Sequence, residues 1–390
     1  MAFQVASCSL ISILFMRIIA DRNIPLLPSL LAELELVQVD AREISADLVS
    51  QADGLIVRSV TQVDSRLLKG SPVRFVATAT SGIDHVDISW LAHSGIAFSS
   101  AAGVNATAVA DYVMAAFSWY LQRTGKRPEG LRCGIVGVGH VGAEVLRRFR
   151  ALGCVTLACD RPRQDTGDPL ASDFVDLTAL STCDVVSLHV PLNSSGRHKT
   201  ADLIGGEFLR ALPGGGLLIN TSRGGVLNEK DAINTLDRRK DIRLVLDVFE
   251  GEPRPDPALV RFTDLITPHI AGYSRLAKHL AAKQVSKALT EFFELDNHQS
   301  NESADSTGRM RLELVTGEPR EVWQVALQCF DLTAISDSFK TGVRRGDSEV
   351  VFDSLREQCS GRHEYSECSA GGPMTAQVAD YLAGLGFTLD

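Results

Sequence analysis

The segment Gly137-Val138-Gly139-His140-Val141-Gly142 constrains this chain more than any other feature. Glycine-rich hexapeptides arise by chance in a chain with 32 glycines, so the spacing alone decides little. The context is what makes it specific. An apolar run ends at Val136, a helical pattern follows over 143–152, and a second apolar run ends at Asp160, 18 residues beyond Gly142. In a strand–turn–helix of this kind the first glycine permits the tight turn. The second lets backbone N–H groups approach a pyrophosphate, and the third lets the helix pack on the strand. Phosphates would rest at the positive helix N-terminus, against Gly139, His140 and Val141. Asp160 is placed to accept from a ribose 2′-hydroxyl and to repel a 2′-phosphate, which favours NAD over NADP. Arg161 and Arg163 beside it weigh the other way.

The rest of the chain alternates short apolar runs with helical stretches. Strands are expected at 18–20, 55–57, 75–78 and 96–98, then at 132–136, 155–159, 185–189, 217–220 and 244–248. Helices are expected at 26–34, 87–93, 106–121 and 273–295. Such alternation predicts an α/β fold with parallel sheets and crossover helices. Two Rossmann-like lobes are expected: a flavodoxin-like substrate lobe split in sequence (16–115 and 275–295) and an inserted cofactor lobe (116–274). A ligand cleft is expected between them. Residues 296–307 are polar and read as a linker, and 308–390 have enough apolar residues for a small C-terminal α+β domain. Residues 3–20 are largely apolar, but no Lys or Arg precedes Arg17, so the charged start of a signal peptide is missing. Met16 reads as the natural start and 1–15 as a disordered extension. Nothing later is apolar enough to span a bilayer.

The formal net charge of −9 argues against a general nucleic-acid role, since no basic excess exists to neutralise phosphates. Eight cysteines occur without a CxxC pair, so they read as free thiols of a reducing, cytoplasmic compartment, and no metal site is expected.

Three later segments carry candidate chemistry, each just past an apolar strand: Asn220–Gly225 with Arg223, Asp247–Pro253 with Glu252, and Thr267–Tyr273 with His269. Open α/β sheets bind ligands at those strand ends. Oxidising a C2 hydroxyl requires a base, and imidazoles titrate near neutrality, so His269 is the natural choice. Glu252 would fix its tautomer and stabilise the imidazolium, and Arg223 would clamp a substrate carboxylate through its fork. His189 and His85 also follow strands. We read the first as lining the cofactor pocket and the second as anchoring a turn or facing the cleft.

Together these segments resemble the D-isomer-specific 2-hydroxyacid dehydrogenases over residues 17–295. The resemblance implies a split two-domain fold, catalysis by Arg223, Glu252 and His269, and commonly a homodimer. Further stretches (Val57–Thr61, Thr78–Asp87, His269–Tyr273 and, in the tail, Phe352–Arg356, Glu364–Ser366 and Leu382–Phe387) resemble one branch of that family. That branch oxidises a phosphorylated four-carbon 2-hydroxy acid on a route to pyridoxal phosphate. It implies substrate contacts at Ser59, Thr80 and Tyr273, NAD contacts at Asp160, Asp247 and Gly272, and a C-terminal dimerisation region. Val190 stands where such enzymes often carry a threonine that contacts NAD, so only backbone serves there. From the residues themselves, Arg58, Ser59 and Thr80 could cradle a phosphate. Two other readings remain open: another family member such as a 3-phosphoglycerate dehydrogenase, and a non-catalytic NAD(H)-sensing corepressor. A foldable tail favours the enzyme.

Overall fold

Runs that are apolar on every residue form strands only where both sheet faces are covered, and such runs recur throughout this chain. The computed structural model describes residues 16–295 and 310–389. The expected extension 1–15 and linker 296–307 lie outside the described residues. Contacts divide the chain into a smaller unit, 1–105 with 276–307, and a larger one, 106–275 with 308–390.

In the smaller unit five parallel strands lie in the order β2-β1-β3-β4-β5. They are β1 (Arg17–Asp21), β2 (Glu35–Val39), β3 (Gly54–Val57), β4 (Phe75–Thr78) and β5 (Ala97–Ser100). β3 and β4 are buried throughout. The edge strand β2, ELVQV, escaped the sequence reading because its alternation with polar residues left no continuous apolar run. The expected helix at 26–34 shrinks to Leu27–Leu30, since Leu26 adopts φ 64° and Leu31 leaves helical geometry. The helix Arg275–Phe292 packs Ala281, Ala282, Val285 and Leu289 against Ile18, Ala20, Ile56 and Phe75.

The larger unit carries six parallel strands in the order β11-β10-β9-β8-β6-β7. They are β6 (Arg132–Val136), β7 (Val155–Cys159), β8 (Val185–Leu188), β9 (Leu217–Asn220), β10 (Arg243–Leu246) and β11 (Leu265–Ile266). Counted from its own first strand this is the smaller sheet's order with one strand added. The helix Ala106–Thr124 runs unbroken, with every residue from Ala108 to Leu121 buried in this unit. The change of unit therefore falls at 105/106, before the helix, and not at 115/116 as the sequence suggested.

The C-terminal segment adds a parallel sheet, β12 (Met310–Glu313), β13 (Cys368–Gly371) and β14 (Thr388–Leu389), and four helices, among them Ser348–Cys359. Its Leu312, Trp323, Phe330, Tyr365 and Leu382 share one core with Tyr112, Phe117 and Phe149. Buried charge fastens it further. Arg148, 1% exposed, donates to Asp111 Oδ1 (2.5 Å) and to the Leu385 carbonyl (2.7 Å), and Tyr365 N–H donates to Asp111 Oδ2 (2.9 Å). Removing one member of such a buried pair costs about 3–5 kcal/mol. Among the described residues no helix is long and apolar enough to cross a membrane.

Candidate active site

The glycine turn has the geometry its three glycines were expected to provide. Gly137 has φ +86°, and a Cβ there would lie 2.8 Å from the His189 carbonyl and from Val190 Cγ1. A Cβ on Gly142 would lie 1.9 Å from the Gly137 carbonyl oxygen, so only glycine lets the helix His140–Ala151 close onto β6. Gly139 faces open space, with nothing within 4 Å of a built Cβ. The first-turn N–H groups of His140, Val141 and Gly142 have no acceptor within their helix. A dinucleotide's pyrophosphate fits that opening.

Asp160 closes the turn from the neighbouring strand. Its Oδ2 accepts from Val138 N–H (2.7 Å) and its Oδ1 from Arg163 N–H (3.1 Å). The two arginines that weighed toward NADP are engaged elsewhere. Arg163 donates to the Val138 carbonyl and to Asp168, while Arg161 pairs with Asp176.

Because β9, β10 and β11 are adjacent and parallel, the loops that follow them leave the sheet side by side. Arg223 follows β9, Glu252 follows β10, and His269 follows β11. His269 Nδ1 lies 2.8 Å from Glu252 Oε2. An ionised carboxylate only accepts, so Nδ1 carries the proton and Nε2 is left as the basic atom. The Arg223 loop touches the Glu252 loop directly: a Cβ on Gly224 would meet the Phe249 carbonyl at 2.2 Å.

Buried polar groups that the sequence reading passed over, or gave other roles, hold these loops. Asn220, 1% exposed, accepts from Ser222 N–H and Oγ–H and donates to the Arg223 carbonyl, which fixes the turn presenting Arg223. Glu229 accepts from Glu250 N–H (2.5 Å). Burial pushes its carboxyl up to about 7, with Glu250, Asp256 and Glu252 adding to the rise. His269 sits at φ 54°, a conformation L-residues rarely adopt. Its N–H donates to the Asp247 carbonyl (2.8 Å), and the Asp247 carboxylate accepts from Thr267 Oγ1, Ile270 N–H and Ala271 N–H. Tyr112 Oη in turn donates to Thr267 Oγ1 (2.6 Å). Asp247, expected to contact the cofactor, thus has both carboxylate oxygens engaged in shaping the His269 turn. A lone polar residue ending an apolar strand is the only sequence signal that could have flagged Asn220 and Asp247 as braces.

From the C-terminal segment, Arg362 donates to the carbonyls of Ala271 (3.3 Å) and Tyr273 (3.0 Å), one on either side of Gly272. Arg356 donates to Tyr273 Oη. Nothing in the local sequence pairs positions this far apart.

His189 is bonded to Ser187 Oγ (2.9 Å) and Thr221 Oγ1 (3.3 Å), and burial pushes its imidazole down to about 3, so it stays neutral. In the smaller unit Arg58 Nε donates to the fully buried Asp21 (2.7 Å). Ser59 is exposed. Thr80 Oγ1 donates to the Gly82 carbonyl and lies 2.8 Å from Thr78 Oγ1, which contacts His85 Nε2 (2.9 Å). His85 is thus bonded within that turn, one of the two roles expected of it.

Residues 101–271 match the family described as D-isomer specific 2-hydroxyacid dehydrogenase, NAD binding domain. The chain is 37% identical over 382 residues to the erythronate-4-phosphate dehydrogenase of Marinobacter nauticus, covering 96% of this chain and 100% of that one. The chain belongs to the erythronate-4-phosphate dehydrogenase family. The counterpart from Edwardsiella ictaluri is 45% identical over 279 residues, 71% of this chain and 74% of its own. Among solved structures, the TT0316 protein of Thermus thermophilus superposes with TM-score 0.63 at 25% identity, over 73% of this chain and 99% of its own. The NAD+-bound 3-phosphoglycerate dehydrogenase of Entamoeba histolytica gives 0.60 at 24%, over 72% and 96%, and shows the shared fold. This family member is an NAD-dependent 2-hydroxyacid dehydrogenase with two Rossmann-like lobes and a small C-terminal domain.

Proposed function

We propose that the enzyme oxidises 4-phospho-D-erythronate to 2-oxo-3-hydroxy-4-phosphobutanoate, with His269, Glu252 and Arg223 as its catalytic residues. The observation that carries this reading is the 2.8 Å bond from His269 Nδ1 to Glu252, on a loop packed against that of Arg223. NAD supplies the hydride acceptor. His269 Nε2 takes the C2 hydroxyl proton while Glu252 holds the ring and balances the charge it gains. Arg223 binds the substrate carboxylate and polarises the C2 oxygen.

The cofactor contacts in this reading are Gly137, Gly139, His140, Val141, Gly142, Asp160, Val190 and Gly272, with Asp247 acting through the His269 turn. The substrate contacts in this reading are Arg58, Ser59, Thr80 and Tyr273. The pathway is pyridoxal phosphate formation and the compartment cytoplasmic, in keeping with seven free cysteines among the described residues. Pairing into a homodimer through the C-terminal segment is part of this reading and rests on the family resemblance. The deciding assay follows NADH absorbance with 4-phosphoerythronate and 3-phosphoglycerate in parallel. Preference for the first is expected, and a higher kcat/KM on the second would replace this substrate assignment.

A further inference from the structure

We propose that Arg356 is a second anion-binding arginine of this site and takes the substrate's phosphate. The idea rests on the phosphorylated-substrate reading above and adds the residue that would enforce it.

Arg356 lies on the helix Ser348–Cys359 of the C-terminal segment. Its guanidinium donates to Tyr273 Oη and sits 5.0 Å from the Tyr273 ring centroid and 5.1 Å from that of Phe352. Phe352 meets Phe249 edge-on at 6.3 Å, and Phe249 N–H is bonded to Glu252 Oε1. The arginine is therefore held between the His269–Tyr273 loop and the aromatic pair backing the Glu252 loop.

Its charge is what the fold leaves unanswered. Among the described residues no carboxylate pairs with Arg356, and its buried Nε has no hydrogen-bond acceptor. Other arginines nearby differ: Arg362 faces Asp111, and Arg254 of the Glu252 loop pairs with Glu349. A half-buried cation without a counter-ion is costly, and an arriving anion offsets that cost. Arg223 is assigned to the substrate carboxylate, so the remaining anion is the phosphate, whose oxygens match a guanidinium fork. Arg58 is less suited, since Asp21 already balances its charge.

The test compares kcat/KM for 4-phosphoerythronate and for erythronate in wild type, Arg356→Gln and Arg356→Lys. Losing a charge-assisted contact should lower the phosphorylated-to-unphosphorylated ratio by about 10- to 100-fold in the Gln variant, with part regained in the Lys variant. An unchanged ratio, with both substrates losing equally, overturns the proposal and leaves Arg356 a brace for Tyr273. Inorganic phosphate titrated calorimetrically into the NADH-loaded enzyme reads the arginine even if 4-phosphoerythronate proves not to be the substrate. Binding lost in Arg356→Gln supports the assignment, and equal binding overturns it.

Discussion

The two large sheets of this protein share a strand order and differ at the ends of their first strands. In the smaller unit β1 runs into Asp21, whose fully buried carboxylate is bonded to Arg58 and to Asn23 N–H. In the larger unit β6 runs into Gly137, with a helix N-terminus opened by Gly139 and an aspartate on the next strand shaping the turn. One strand end is filled by a charge pair, and at the other a Cβ built on Gly139 meets nothing within 4 Å. The same topology thus serves bracing in one place and recognition in another, and the difference lies in a handful of turn residues.

Substitutions that separate recognition from bracing test that contrast. The largest effect is expected from His269→Asn, which removes the base at a recognition-type strand end. Turnover should fall by about 10³-fold or more, while NADH affinity, read by fluorescence titration, stays near wild type. Lost NADH binding with surviving turnover would refute the assignment. Next comes Asp21→Ala, which leaves Arg58 without its buried partner. Stability should drop by about 3 kcal/mol in urea unfolding, with NADH affinity unchanged. An altered NADH affinity would break the comparison, because it would make the braced strand end part of recognition. Asp160→Ala should then shift the NADP-to-NAD preference by about tenfold in kcat/KM, by removing the acceptor for the ribose hydroxyl. Unchanged preference would assign that reading to another group.

The recognition end was far more legible in the sequence than the bracing. Gly137–Gly142, Asp160, Arg223, Glu252 and His269 stand within short stretches whose spacing carries meaning, since strand, turn and helix are all local. The strands from Arg132 to Asn220 were likewise readable, because strands of a covered parallel sheet appear as largely apolar runs. What stayed hidden was set by contacts between distant positions. Arg148 meets the Leu385 carbonyl across 237 residues, and Arg362 meets the Ala108 carbonyl across 254. Such pairings have no local signature, so the joining of the C-terminal segment to the cofactor lobe could not be read from either stretch alone. The edge strand β2 was missed for a different reason, since it alternates with polar residues.

A third carboxyl sharpens the contrast with the smallest expected effect. Glu364 belongs to the larger unit yet is 2% exposed, like a brace, and accepts from Ser274 Oγ just beyond the His269–Tyr273 loop. Burial pushes its carboxyl up to about 7; Asp111 and Glu367 add to the rise, while the Ser274 bond and Arg362 oppose it. Between its ordinary value of 4.5 and about 7 the folded protein therefore holds a proton that the unfolded chain releases. Stability is then intact below that window and declines as pH rises through it. Glu364→Gln keeps an acceptor for Ser274 and carries no charge. Its stability relative to wild type should rise by on the order of 1 kcal/mol between pH 5 and pH 8, measured as the difference in urea midpoints. If burial and not membership of the cofactor lobe decides what an acid does, NADH affinity will stay level across the same range. A stability gap that shrinks with rising pH would mean the carboxylate is the favoured form in the fold, and Glu364 would then belong with the paired charges of Arg148 and Asp111.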